Sequence, residues 1–253
     1  MTELFSIKDK IIIITGGNGG IGYELADKMS GYGAIVYSID KKFSRNDRKM
    51  EKNLIQKKCN ILNKNQFQSI CKEIFEKHKK IDVLINGAGI TKSGKNGIDY
   101  PEKDWKETLD VNLTGAFLTS QAVINYMRKR GSGSIINITS INAELGFPNN
   151  PAYVASKGGL KMLGKALAKD YGKFGVRVNN LGPGYIKTEM VIASYLNKKA
   201  RKLREKHTML ERWGTPEDLV GPCIFLSSDA SKYITGQDIY VDGGWSANGL
   251  LSY

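Results

Sequence analysis

Residues 10–29 read Lys-Ile-Ile-Ile-Ile-Thr-Gly-Gly-Asn-Gly-Gly-Ile-Gly-Tyr-Glu-Leu-Ala-Asp-Lys-Met, and this stretch decides the fold. Four consecutive isoleucines form a β-branched apolar run, which favours an extended chain buried on both faces. From Ile21 to Met29 the apolar residues recur at helical spacing. Between the two lies Thr15-Gly-Gly-Asn-Gly-Gly-Ile-Gly22, so the reading is strand, glycine turn, helix. Backbone amides at such a helix N-terminus can bind a pyrophosphate, and missing β-carbons permit close approach. The spacing differs from the usual Gly-x-Gly-x-x-Gly: the key glycines are Gly16, Gly20 and Gly22, with three residues between the first two. A turn without a ligand stays open on this segment alone.

Working outward, apolar runs at 34–40, 54–59, 81–86, 133–140, 176–181 and 237–241 read as further strands. Helical periods occupy 63–79, a long region from 101 toward 129, 152–171 and a charged segment reaching 206. A last helix opens at Thr215-Pro216-Glu217. The alternation predicts an α/β fold, a Rossmann-type doubly wound parallel sheet of about seven strands flanked by helices on both faces. No linker or repeat divides residues 1–253, so one domain is expected.

Composition narrows the function classes. The 253 residues include 38 Lys plus Arg against 25 Asp plus Glu, a formal charge of +13, with three Cys and two His. Cys59, Cys71 and Cys223 lack metal-ligand or disulfide spacing, which argues for reduced thiols, no metal and a cytoplasmic setting. The run Ile11 to Ile14 is too short for a signal core or a membrane span. The basic residues cluster at 197–206 and around Lys41 to Lys52, but no zinc-finger or RNA-recognition signature accompanies them. Neither a nucleic-acid nor a membrane partner is expected.

Three positions suggest chemistry. Asp40 ends the second strand, where a carboxylate can accept the adenosine ribose hydroxyls and repel a 2′-phosphate; Lys41 and Lys42 oppose that preference. Tyr153 and Lys157 are four apart on a helix, so the ammonium can sit near the phenol and draw its pKa toward neutrality, as suits an acid/base for carbonyl chemistry. Ser140 ends the fifth strand, at the carboxyl edge where doubly wound sheets bind ligands.

Together these residues resemble a short-chain dehydrogenase/reductase from end to end. The motifs are Thr15-Gly-x3-Gly-x-Gly22, Asn86-Gly-Ala-Gly89, Asn112, Ser140, Tyr153-x3-Lys157, Pro183-Gly184 with Thr188, and Val241-Asp-Gly-Gly244. The resemblance implies that Tyr153 exchanges the proton, Ser140 bonds the carbonyl oxygen, Lys157 holds the nicotinamide ribose and tunes Tyr153, and Asn112 positions a water relay. It implies NAD as cofactor, with NADP as the alternative. The contacts expected are Gly16, Asn18, Gly20, Ile21, Gly22, Asp40, Asn60, Asn86, Ala88, Gly89, Tyr153, Lys157, Pro183, Gly184, Ile186 and Thr188. Two departures stand out: Asn86-Gly-Ala-Gly89 where the family usually has Asn-Asn-Ala-Gly, and Asn60 where it usually has Asp. Asn60 keeps a carbonyl acceptor for the adenine amino group.

The C-terminal third, with Arg212-Trp-Gly-Thr-Pro-Glu-Asp218 and Val241-Asp-Gly-Gly-Trp245, most resembles sugar-acid and polyol members such as gluconate 5-dehydrogenases and deoxygluconate dehydrogenases. Asn142, Glu144, Asn149 and Asn150 offer hydrogen bonds to a hydroxylated small-molecule substrate. The competing readings are a 3-oxoacyl-carrier-protein reductase and a dinucleotide-binding regulatory protein without turnover. The resemblance further implies a homotetramer with Val241 to Tyr253 at an interface, and a substrate-covering segment at about 187–212. Lys198, Lys202 and Lys206 recur on one helical face of that segment, where they either attract an anionic substrate or form a solvated face that keeps the segment soluble.

Overall fold

The structure, a computed structural model, describes residues 3–44, 53–94 and 96–249. The basic cluster between Lys41 and Lys52 and the last residues of the C-terminal tail lie partly outside them. Seven strands form one parallel sheet: β1 Ile11–Thr15, β2 Ile35–Asp40, β3 Leu54–Lys58, β4 Val83–Asn86, β5 Gly133–Ile138, β6 Val176–Pro183 and β7 Asp238–Val241. Their order is β3-β2-β1-β4-β5-β6-β7, with every pair parallel. The order reverses beside β1, which opens a crevice at the carboxyl ends of β1 and β4.

The helices are α1 Gly20–Gly31, α2 Lys64–His78, α3 Glu102–Leu109, α4 Gly115–Arg130, α5 Pro151–Tyr171, α6 Ile192–Leu196, α7 Lys198–His207 and α8 Val220–Ser227. Alternate isoleucines of β1 serve opposite faces. Ile12 and Ile14 pack with Leu25, Met29 and Cys223 beneath α1 and α8, whereas Ile11 and Ile13 pack with Phe67, Ile74 and Val123 beneath α2 and α4. Burial on both sides is why the strand is apolar at four successive positions.

Two predicted helices are broken. The long region from 101 becomes α3 and α4 joined by a π-helical turn, Asp110–Thr114, which contains Asn112. The charged segment becomes α6 and α7, because the Asn197 side chain accepts the Ala200 amide and starts a new helix. No helix among the described residues is long and apolar enough to cross a membrane.

Candidate active site

The turn after β1 is shaped by absent side chains. Gly16 has φ +75°, and a β-carbon there would lie 2.7 Å from the Ala88 Cα; one at Gly22 would run into the Gly16 carbonyl oxygen. Thr15 Oγ1 accepts the amides of Gly87 at 3.2 Å and Ala88 at 3.3 Å, tying this turn to the one after β4. α1 starts behind Gly19 with no side-chain cap. Its first amides and the positive end of its dipole therefore remain available to an anion.

A cleft of about 350 Å³ runs along this edge. It is lined by Gly16, Gly20, Ile21 and Gly22, by Asp40 and Lys41, by Gly87 to Ile90, and by Thr188 to Met190. Asp40 accepts the Asn18 amide at 3.0 Å, which fixes the carboxylate at the cleft wall. A backbone cradle, an uncapped helix terminus and an acidic strand end fit a dinucleotide. Cys59, Ile61 and Val111 also line the cleft, and the sequence reading missed them. Cys59 and Ile61 follow the end of β3, a position that marks them once the strand order is known.

Eight of the expected cofactor contacts do not line the cleft: Tyr153 and Lys157, which lie with the catalytic residues described below, and six that are held elsewhere. The Asn18 side chain exchanges hydrogen bonds with Ser44, donating at 3.3 Å and accepting the Ser44 amide at 3.1 Å. Asn60 Oδ1 accepts the Leu62 amide at 3.2 Å in the turn before α2, so its carbonyl serves the chain. Pro183 closes β6, and Gly184 is pressed against Asp242, where a β-carbon would lie 2.7 Å from its Cα. Ile186 is buried in the core with Leu219 and bridges to Gly214.

Asn86 is turned away from the cleft into a polar ladder. Asn86, Asn137, Asn180 and Asp238 are register partners on β4, β5, β6 and β7. Asn86 Nδ2 donates to Asn137 at 3.0 Å, Asn137 Nδ2 to Asn180 at 3.0 Å, and Asn180 Nδ2 to Asp238 at 2.7 Å. Thr119 Oγ1 donates to Asn86 Oδ1 at 2.7 Å, and Lys165 pairs with Asp238 at 2.8 Å. Gly164 lets α5 lie on this row, since a β-carbon there would collide with Asn180. Beyond Asp238, Lys161 pairs with Glu144, which accepts the Tyr240 hydroxyl at 2.8 Å.

The four candidate catalytic residues meet beyond Gly89. An added β-carbon at Gly89 would lie 3.6 Å from Lys157 Nζ and 3.4 Å from Asn112 Oδ1. Lys157 is buried, donates to the Ile138 carbonyl at 2.7 Å and sits 5.6 Å from the centre of the Tyr153 ring. Ser140 Oγ accepts the Asn142 amide at 3.1 Å and adjoins Tyr153 as a hydrogen-bond partner. Asn112 accepts the Ile90 amide at 2.8 Å and donates to its carbonyl at 3.0 Å and to Ser156 at 3.0 Å. Its side chain thereby fixes the loop after β4.

Burial governs both ionisable groups. It raises the Tyr153 phenol, with the Ser140 hydrogen bond pulling the other way, and it lowers the Lys157 ammonium to about 8. Burial outweighs the Ser140 hydrogen bond, so the phenol stands above its ordinary value. Of the polar residues expected near substrate, Asn142 bonds Ser140 at 3.1 Å and Asn150 donates to Thr91 at 2.8 Å.

The segment at about 187–212, expected to cover the substrate, carries α6 and α7. Lys198, Lys202 and Lys206 are exposed, while Arg201 and Arg204 turn inward. The Arg204 guanidinium lies 4.6 Å from the Tyr185 ring centre, and Arg201 lies 5.3 Å from that of Tyr195. Val241-Asp-Gly-Gly244 holds the end of the segment: the Leu210 amide donates to the Gly243 carbonyl at 3.1 Å, and Gly243 and Gly244 leave room for Thr208 and Met209.

Residues 16–246 match the family model described as enoyl-(acyl carrier protein) reductase. The chain is 36% identical to the 5-keto-D-gluconate 5-reductase of Escherichia coli, over 96% of this chain and 98% of that one. It is 34% identical to a 3-oxoacyl-[acyl-carrier-protein] reductase of Thermotoga maritima, over 94% and 98%. The crystal structure of a gluconate 5-dehydrogenase from Burkholderia cenocepacia in complex with NADP and tartrate superimposes with a TM-score of 0.89 at 31% identity, covering 97% of this chain and 98% of the other.

Proposed function

The chain belongs to the short-chain dehydrogenase/reductase family and is an NAD(P)-dependent oxidoreductase; from that premise we propose that it interconverts a secondary alcohol and a ketone on a sugar acid. The observation that carries the chemistry is Tyr153, Ser140 and Lys157 gathered beside a backbone cradle fit for a dinucleotide. When bound, NAD(P) supplies the hydride acceptor for the alcohol and the hydride donor for the ketone. In the oxidising direction Tyr153, as its phenolate, takes the proton of the substrate hydroxyl; in the reducing direction the phenol gives its proton to the carbonyl oxygen. Ser140 Oγ hydrogen-bonds the same oxygen and holds it against the phenol. Lys157, fixed by the Ile138 carbonyl, would hold the nicotinamide ribose. Asn112 acts as a positioning residue through Ile90 and Ser156, and anchors the proton relay.

Asp40 at the cleft wall favours NAD, since a carboxylate there repels a 2′-phosphate, while Lys41 beside it works against that preference. The sugar-acid substrate is supported by the likeness to a 5-keto-D-gluconate 5-reductase and to a gluconate 5-dehydrogenase. Apolar side chains exposed on α4 and α5, Phe117 and Met162, support the homotetramer, and three buried free thiols support a reducing, cytoplasmic setting.

The test is a panel of sugar acids, polyols and acyl thioesters with each cofactor, followed by nicotinamide absorbance. The reading expects turnover of a sugar acid, with NAD bound more tightly than NADP. Turnover confined to acyl thioesters would move the chain to the carrier-protein reductases, and tighter NADP binding would remove the assigned role of Asp40.

A further inference from the structure

Beyond the catalytic residues, α7 and the loops that follow β5 and β6 gather positive charge and aromatic rings. Tyr185 follows Pro183-Gly184 at the carboxyl end of β6, and its ring lies 6.4 Å from Phe147, in the loop that begins at Ser140. It also meets Trp213 at 5.1 Å and Trp245 at 4.8 Å. Arg204 of α7 rests on this cluster, 4.6 Å from Tyr185 and 5.9 Å from Trp213.

The charges there are not balanced. Arg212 forks onto Asp218 at 2.8 and 2.9 Å, Arg201 pairs with Glu205 at 3.6 Å, and Arg177 donates to the Leu226 carbonyl at 2.8 Å. Among the described residues Arg204 has no carboxylate or carbonyl partner, and its buried Nε makes no hydrogen bond. The Trp213 indole nitrogen, on the neighbouring ring, is buried and unpartnered as well. Lys187 lies 4.6 Å from the Tyr195 ring and has no acidic partner among the described residues. Arg201 Nε is buried without a hydrogen bond too, but its charge is paired with Glu205; Arg and Trp side chains can only donate, so the Arg204 and Trp213 donors call for an acceptor from a ligand.

We propose that Arg204, with Trp213 beside it, binds the carboxylate of the substrate and so determines specificity for an acid over a neutral polyol. This rests on the sugar-acid reading above and adds the residue that recognises the acid. The planar guanidinium suits a carboxylate, and stacking on Tyr185 holds it in place before the substrate arrives. The C-terminal turn holds α7 in turn: Trp245 packs on His207 at 4.2 Å, and Asn248 donates to the His207 carbonyl at 2.8 Å. Lys198, Lys202 and Lys206 stand on the outer surface and take no part. A neutral polyol would leave the buried donors unpaired, which is how a site made for a polar group rejects an analogue lacking it.

The test uses the holoenzyme with gluconate and with glucitol, which keeps the hydroxylated chain and lacks the carboxylate. Arg204→Gln is expected to lower the gluconate-to-glucitol ratio of kcat/KM by about 10- to 100-fold, mainly through the KM for gluconate, with Arg204→Lys between it and the parent. Trp213→Phe keeps the ring, removes the donor and is expected to raise the gluconate KM severalfold, which gives a second readout if Arg204→Gln folds poorly. An unchanged ratio in Arg204→Gln, or an unchanged gluconate KM in Trp213→Phe, in an enzyme that turns over gluconate overturns the proposal and leaves the sugar-acid reading standing. A parent enzyme that turns over no sugar acid overturns both.

Discussion

Asn86, Asn137, Asn180 and Asp238 hand hydrogen bonds from strand to strand across β4 to β7, and the row ends on the Lys165 ammonium. Further along the same strands, at their carboxyl edge, Tyr153 and Lys157 are enclosed with no carboxylate partner among the described residues, and burial displaces both from their ordinary pKa values. The ladder answers burial with partners, so its polar groups add stability and specify strand register. The catalytic pair answers burial with altered ionisation, which costs stability and makes proton exchange available. Polar burial alone therefore does not mark a functional site; unsatisfied ionisation does.

The largest break in this contrast should come from Lys157→Met. Turnover is expected to fall by roughly three orders of magnitude or more and cofactor affinity to weaken, since the ribose contact and the charge are both lost. Stability should move separately. Lys157 has a folded pKa of about 8 against about 10.4 unfolded, so below pH 8 its buried ammonium is a constant penalty. Between about pH 8 and 10.4 the unfolded chain binds the additional proton, so the parent gains stability as pH rises through that window. Urea midpoints of parent and variant across it should shift in favour of the parent; parallel pH profiles would show that the ammonium is not held in a desolvated site.

Asn137→Ala sharpens the other side. It leaves Asn180 Oδ1 without its donor and is expected to cost about 1–3 kcal/mol of unfolding free energy while sparing turnover per folded molecule. A loss of turnover at unchanged stability would place Asn137 in the chemistry instead. The smallest effect belongs to the exposed pair Arg212–Asp218, where hydrogen bonds from Arg212 hold the Asp218 carboxyl down at about 2. Its stabilisation is present above about pH 4 and is lost as pH falls toward 2. Solvent screening keeps it under about 1 kcal/mol, so Arg212→Ala should differ from the parent by less than that at pH 7, and by less still at pH 3. A larger gap that persists in acid would contradict this account.

The sheet was legible because β-branched runs such as Ile11–Thr15 have little alternative to a buried strand, and the glycine turn after the first of them commits Ile21 to Met29 to a helix. Tyr153, Lys157 and Ser140 were legible because helical spacing and strand-end position bring them together. The ladder was not: Asn86 at its strand end reads as a cofactor contact, and only strand order shows that it faces Asn137. Nor was Arg204, because four-residue spacing along a charged helix identifies a face without telling which side packs. The break at Asp110–Thr114 carries no proline, and its only nearby glycine, Gly115, lies beyond its end, so local propensity did not mark it.

The most direct test of the central claim is turnover of a sugar acid by Tyr153→Phe, followed by nicotinamide absorbance and normalised to folded, cofactor-bound protein. The account predicts a fall of roughly two to four orders of magnitude with the unfolding midpoint and cofactor affinity nearly unchanged, because only the transferable proton is removed. Turnover close to that of the parent would contradict it.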